Sequence, residues 1–276
     1  MTMMKEEIKN AFEKIEIGVK GVFESENYKR YLKTMSKFHR YSVNNSILIM
    51  MQYPNATYVT GASKWATMNR TIRKGAKAIK ILIPHPYTKE IETTDEKGNA
   101  VTVEQNFVWF SLGSVFDYEQ TEGEDLPSIC NELEGDSEEV KRLISVLEKV
   151  SKCPVAYWNL KDGSKGFYSL KDNKIVISKN LKSDTQIFKT LAHEIAHSRL
   201  HGEGTNRQQA EIEAESIAYV VAAHFGINTE EYSFEYIANW SRNKESRELK
   251  EILTNIQKQA KVLIEEIEAI ITQEEQ

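Results

Sequence analysis

Two histidines four residues apart, His193 and His197, enclose a glutamate in the run Leu191-Ala192-His193-Glu194-Ile195-Ala196-His197. In an α-helix that spacing puts both imidazoles on one face, one turn apart. Two imidazoles so placed can grip one Zn²⁺. The carboxylate of Glu194 then sits beside the metal, able to take a proton from a bound water. Leu191, Ala192, Ile195 and Ala196 make this a buried helix, and buried polar groups need partners. A chance pair of surface histidines fits that apolar setting poorly.

Zinc at a catalytic site needs a third protein ligand and one open position. His201 extends the same face, but eight residues of helix rise ~12 Å, and Zn–N bonds are only ~2 Å long. No glycine lies between His197 and His201 to break the helix, so His201 is set aside as a ligand. Glu211 and Glu215, in Ala210-Glu211-Ile212-Glu213-Ala214-Glu215-Ser216, share a helix face, while Glu213 is expected to point away. A turn at 203–206 makes the two helices antiparallel neighbours. Glu211 and His197 then stand at matching heights on either side of the turn, and Glu215 is level with His193. Glu211 is the expected third ligand, a gluzincin-like set. Glu215 is expected to orient the free ring nitrogen of His193, as carboxylates behind metal-bound histidines do; the reverse assignment stays open.

The chemistry implied is metal-assisted peptide hydrolysis, with Glu194 as catalytic base and later as proton donor to the leaving amine. A further donor for the oxyanion is expected, and Tyr168, Tyr219, His201 and His224 are the candidates. No motif supports a Ser, Cys or Thr nucleophile.

The elements that must position these residues follow from periodicity and punctuation. Ser183 or Asp184 caps the histidine helix and Gly202 ends it. A second helix is expected from about Arg207 to His224, closed by Gly226. Upstream lie an amphipathic helix over 138–153 stopped by Pro154, a strand at 155–158, and a hairpin of 166–169 with 174–178 around Lys171-Asp172-Asn173. Downstream, Ser233 caps a short helix and a long amphipathic helix covers 244–271.

The first half reads as helices at 5–23, 27–39, from Ser42 and at 64–68, then strands at 77–84 and 101–110 joined by a tip at 93–99. Its charge is segregated. Residues 28–80 hold eleven Lys or Arg and no Asp or Glu; the rest of the chain holds 25 basic residues against 41 acidic ones. That asymmetry points to an anionic partner. Tyr28, Tyr31, Phe38, Tyr41, Tyr53, Tyr58 and Trp65 are interleaved with the cations, and cationic grooves with aromatic platforms bind single strands. For Phe38 and Trp65 a core position is the favoured reading. Arg70-Thr71-Ile72-Arg73-Lys74-Gly75-Ala76-Lys77 is the densest basic cluster.

Two resemblances extend these readings. Residues 191–197 with Glu211-Ile212-Glu213-Ala214-Glu215-Ser216-Ile217-Ala218-Tyr219 resemble the ImmA/IrrE-type zincin-like metallopeptidases. In that family the first glutamate of the second motif is taken as the third zinc ligand. Residues 38–45, 52–57, 65–75 and 115–123 resemble, in order, the N-terminal domain of ArdC-type antirestriction proteins. This implies single-stranded DNA binding, with Lys37, Arg40, Asn44, Asn45, Lys64, Trp65, Arg70, Arg73, Lys74 and Lys77 as the expected contacts.

The expectation is therefore an α+β protein of two domains. An N-terminal α+β nucleic-acid-binding domain covers 1–127, an acidic linker 128–137, and a mostly helical zincin-like domain with a small antiparallel sheet 138–276. Its cofactor is Zn²⁺. Its partners are single-stranded DNA and an unidentified protein substrate, serving antirestriction or protection of a mobile element. The alternatives are a non-catalytic DNA-binding protein with a structural zinc, and a repressor-cleaving protease. No apolar run is long enough for a membrane span and no signal peptide is visible. Cys130 and Cys153 fall in no CxxC pattern and fit free thiols in a cytoplasmic protein; a bridge between them is the less favoured reading.

Overall fold

The computed structural model describes residues 2–94, 100–125, 137–161, 163–202, 204–229, 232 and 234–275. The expected hairpin tip at 95–99, the linker up to residue 136, Cys130 and the Ser233 cap lie outside the described residues. The architecture is α+β, with mixed helices and small sheets. By packing, the chain forms two compact units: residues 1–18 with 47–124, and residues 19–46 with 125–276. The helix expected at 27–39 thus packs with the C-terminal elements, although sequence order puts it in the first half.

In the first unit, α3 (Val43–Gln52) enters from residue 47 and is followed by β1 (Val59–Thr60), α4 (Ala62–Thr67) and β2 (Arg70–Ile72). Then come β3 (Ile79–Thr94), β4 (Ala100–Asp117), a 3₁₀ turn at Tyr118–Gln120 and β5 (Thr121–Gly123). β3 pairs antiparallel with β4 along its whole length, from Ile79 opposite Val115 to Thr94 opposite Ala100, and the end of β4 pairs with β1. The strands are far longer than the expected 77–84 and 101–110, because Pro84 and Pro86 do not end β3. β3 is an edge strand. At its start the Lys80 N–H turns away from β4, donating to Gln52 Oε1 at 3.0 Å. Pro84 and Pro86 share that outward phase, so neither removes a ladder hydrogen bond. At the ribbon's root, Asp117 is fully buried, and its carboxylate accepts from the N–H groups of Thr57 (2.6 Å), Tyr58 (3.1 Å) and Glu119 (3.1 Å).

The second unit holds α2 (Ser25–Lys37), α5 (Glu138–Val150), β6 (Val155–Trp158), β7 (Gly166–Ser169) and β8 (Lys174–Ser178). α6 (Asp184–Leu200), α7 (Arg207–His224), α8 (Ile237–Ser241) and α9 (Ser246–Glu274) complete it. Helix α1 (Thr2–Val22) spans the division at residue 18. The sheet order is β6-β8-β7; β7–β8 is the expected antiparallel hairpin, and β6 joins β8 in parallel. Helix α6 is the centre of the unit, touching α5, α7, β7 and β8. Its approach to β7 requires Gly166, where an added Cβ would lie 2.8 Å from Thr190 Cγ2 and 2.9 Å from the Val176 carbonyl oxygen. Helix α7 is buried on nearly every side, with α2 and α9 against it. Among the described residues no helix is long and apolar enough to cross a membrane.

Candidate metal centre

Both motif helices start on side-chain caps. Ser183 accepts from the Gln186 N–H (3.2 Å) and Asn206 from the Gln209 N–H (3.1 Å), satisfying donors the helices leave free. The gap between them, 201–206, is short enough to fold α7 back along α6. This brings His193, His197 and Glu211 together. The Nε2 atoms of His193 and His197 are 3.0 Å apart, and a Glu211 carboxylate oxygen lies 3.5 Å from the first and 3.7 Å from the second. Tetrahedral bonds of ~2.0–2.1 Å hold neighbouring ligand atoms ~3.3 Å apart. The three donor atoms are therefore spaced as one divalent cation would hold them.

Each imidazole is oriented from behind. His193 Nδ1 lies 3.1 Å from Glu215, so its N–H donates to that carboxylate and its Nε2 lone pair faces the cluster. His197 is oriented through a longer relay. Its Nδ1 is 2.8 Å from His201 Nδ1, and His201 Nε2 is 3.1 Å from Glu213. Because the carboxylate can only accept, His201 donates to Glu213 and accepts from His197. The His197 Nε2 lone pair is thereby left facing Glu211. Glu213 is 3 % exposed and is held by Gln209 (3.2 Å) and by Asn255 of α9 (3.3 Å). Burial opposes its charge, yet the bonds from His201, Gln209 and Asn255 keep its carboxyl below the ordinary range.

This relay corrects the expectation that Glu213 points away. It faces inward, toward the end of α6, where His201 closes the last turn. Two signals were available: Glu213 is flanked by apolar Ile212 and Ala214, and His201 sits one turn beyond His197.

Without a cation the two facing Nε2 lone pairs would repel, and one must carry a proton. Burial opposes charge on His193, but Glu211 and Glu215 outweigh it and raise its pKa to about 9. Bonds to both histidines hold the Glu211 carboxyl well below the usual carboxylate range. Glu194 is different. It is buried, and burial pushes its pKa up, against the pull of His193, His197 and a bond from the Tyr168 backbone N–H. That is the direction a general base working near neutrality needs.

The candidate oxyanion donors are committed elsewhere. Tyr168 donates its hydroxyl to Asn173 (3.1 Å), and Tyr219 is buried against Tyr232 and Phe234. His201 is in the relay, and His224 bridges the Ser36 carbonyl (2.9 Å) and Glu268 (3.0 Å). Tyr236, which periodicity did not mark, is half exposed. Burial and then the charges of Glu215 and Glu211 raise its pKa to about 12.

The ten expected nucleic-acid contacts do not fall in one unit. Lys37, Arg40, Asn44 and Asn45 belong to the second packing unit, the other six to the first. Lys37, Arg40, Lys64, Arg73, Lys74 and Lys77 are exposed; Asn44 is half-buried and Asn45 buried. Trp65 is fully buried with its indole N–H on the Phe116 carbonyl at 3.0 Å, which removes it as a stacking platform. Arg70 is 4 % exposed. It bonds Thr121 Oγ1 (2.8 Å) and the Gly123 and Glu124 carbonyls, and lies 4.0 Å from the Tyr118 ring centre. Its charge ties β2 to β5, a pairing too short for periodicity to reveal. Among the described residues Cys153 has no disulfide partner; it is buried, and its thiol donates to Asn173 Oδ1 at 3.1 Å.

Residues 150–269 match the family described as the IrrE N-terminal-like domain, a peptidase family, and residues 1–116 match the N-terminal domain of anti-restriction factor ArdC. The chain therefore has an ArdC-like two-domain architecture, with an ArdC-type N-terminal domain and an IrrE-like domain carrying the candidate metal centre. Among solved structures it is similar to the antirestriction protein ArdC from plasmid R388. The metal-free form has a TM-score of 0.50 and the Mn(II)-bound form 0.51; both are 18 % identical, covering 83 % and 82 % of this chain and 85 % of that one. It is also 24 % identical, over 90 % of its length, to the uncharacterized Bacillus anthracis protein pXO2-81. The chain spans about half (49 %) of the length of that curated relative.

Proposed function

We propose that this protein is a zinc-dependent metallopeptidase joined to a single-stranded-DNA-binding domain, acting in antirestriction or protection of a mobile element. The observation that carries the reading is the convergence of His193, His197 and Glu211 beside a buried Glu194. When bound, a divalent metal would supply an acidified water and polarise a scissile carbonyl. Glu194, its proton affinity raised by burial, is the residue that would take a proton from such a water and return it to the leaving amine. Glu215 and the His201–Glu213 relay hold both rings in the tautomer whose Nε2 lone pair faces the metal side. Two imidazoles and one carboxylate suit zinc and also manganese, which the R388 ArdC structure holds.

Metal analysis of the purified wild type and of His193→Ala tests the centre: stoichiometric zinc or manganese is expected in the first and none in the second. A wild type without stoichiometric divalent metal defeats the peptidase reading. Wild type and Glu194→Gln are then compared in cells, where a protein cleaved only by the wild type is the expected result. If both leave the same proteins intact, the centre is structural and the chain acts by binding DNA. Electrostatic contact with a labelled single strand should weaken with salt and with Arg73→Glu/Lys74→Glu.

A further inference from the structure

The β3–β4 ribbon has two faces of opposite character. The register pairs even-numbered residues with even and odd with odd, so each face carries one parity. The exposed carboxylates, Glu90, Glu92 and Glu104, all lie on the even face, with Glu90 directly opposite Glu104. From Ile83 to Thr93 and from Val101 to Ser111, the odd face carries no carboxylate. It carries Lys89 and two aromatic rungs instead. His85 is stacked on Trp109, ring centres 4.0 Å apart at 13°, and Tyr87 on Phe107 at 5.5 Å and 24°. Trp109 is 49 % exposed and Tyr87 47 %, and Ile83 and Val103 extend the stripe into solvent. Water is a poor environment for so continuous a line of rings, and such patches on a protein surface mark contacts.

We propose that the odd face of this ribbon is a stacking platform for the bases of a single-stranded nucleic acid, with Tyr87 and Trp109 as its main rings. The proposal rests on the single-strand reading above and moves the base contacts away from Trp65, which is in the core. Three observations favour this occupant. The face is free of negative charge where the reverse face is acidic, so a polyanion is repelled from one side only. The chain enters the ribbon directly from exposed Arg73, Lys74 and Lys77, cations that suit a phosphate backbone. The rungs are two residues apart along the strand, or ~6.8 Å, about twice the ~3.4 Å per nucleotide of a stacked duplex. That interval suits a strand whose bases have been drawn apart and is too wide for successive bases of a duplex.

The test uses the full chain and a fluorescein-labelled oligothymidylate at low salt. Tyr87→Ala/Trp109→Ala should weaken binding by about fivefold to about a hundredfold per ring, the range for base–aromatic stacking. Trp109→Phe should retain most of the affinity. Gln105→Glu, which puts an acid on the odd face, should weaken binding more than Asn106→Glu on the even face. Photocrosslinking of a 5-iodouracil strand to the wild type, mapped by mass spectrometry, should label the peptide containing Trp109, a readout that needs no variant to fold. If the wild type binds but the double variant binds equally and no crosslink falls on the ribbon, the platform is overturned while the single-strand reading stands. A wild type that binds no single strand removes both. If the double variant instead converts a dimer to a monomer with DNA affinity unchanged, the face is a contact between copies, and the proposal also falls.

Discussion

The α6–α7 cluster and the β3–β4 ribbon depart from ordinary partition in opposite senses. The cluster draws carboxylates and imidazoles inward: Glu213 and Glu194 are buried, His193 is oriented by Glu215 of α7, and His197 through His201 at the end of its own helix. The ribbon leaves Trp109, Tyr87 and Val103 in water although a core was available in the same unit. Buried polar groups are costly unless fully bonded, and exposed rings are costly unless covered. Each region is therefore unfinished in its own way. The cluster is completed by positive charge, the ribbon by an apolar, stackable surface. Sites that break local rules in this manner are where function is expected.

The sharpest way to separate buried from exposed rings is to remove one of each. Trp65→Ala, in the core, should destabilise by about 3–5 kcal/mol in a denaturant titration. If it does so by less than about 1 kcal/mol, Trp65 is not the anchor its burial implies. On the cluster side, Glu213→Gln should weaken metal affinity about 10–100-fold in a chelator-competition assay, with the fold intact by circular dichroism. Unchanged affinity would mean that His201 and Glu213 do not orient His197.

A third measurement concerns polar burial away from the cluster. His39 stands edge-on to His224, ring centres 4.8 Å apart, and neither of its ring nitrogens has a hydrogen-bond partner among the described residues. His224, Glu268, Glu265 and Arg40 are the charged and titratable groups acting on it; burial, then His224, lowers its pKa to about 4. The unfolded chain therefore takes up the proton first, so stability is complete above the ordinary histidine pKa of ~6.5 and falls as pH descends toward 4. Between pH 7 and pH 5 the loss should be about 2 kcal/mol in thermal or denaturant unfolding, and His39→Leu should flatten it. The smallest effect is expected on the ribbon. Trp109→Ala should cost under about 1 kcal/mol of stability, the scale of one cross-strand pair, while changing nucleic-acid binding far more.

Where patterns are long and punctuated, the residues announced the fold. Helix α7 runs from Arg207 to His224, the span expected between the turn at 203–206 and Gly226, and Glu211 and Glu215 lie beside the histidines at the heights expected across that turn. The unread parts share a physical cause, dependence on distant partners. Arg70 resembles any surface cation until the carbonyls of β5 are brought to it. Glu213 resembles an outward glutamate until His201 closes α6. Residues 19–46 look continuous with the basic segment after them, yet their buried face packs with elements over a hundred residues away. Pro84 and Pro86 look like strand terminators until β3 is known to lie at an edge.

Those two prolines have a consequence for life at high concentration. A ribbon with greasy rungs and a free edge would ordinarily recruit its own kind, strand upon strand. On the outward side of β3 the prolines present ring carbons where an incoming strand would look for hydrogens. The same edge that tolerates them is thereby closed to fibre growth, and the aromatic face can stay bare until its own ligand arrives.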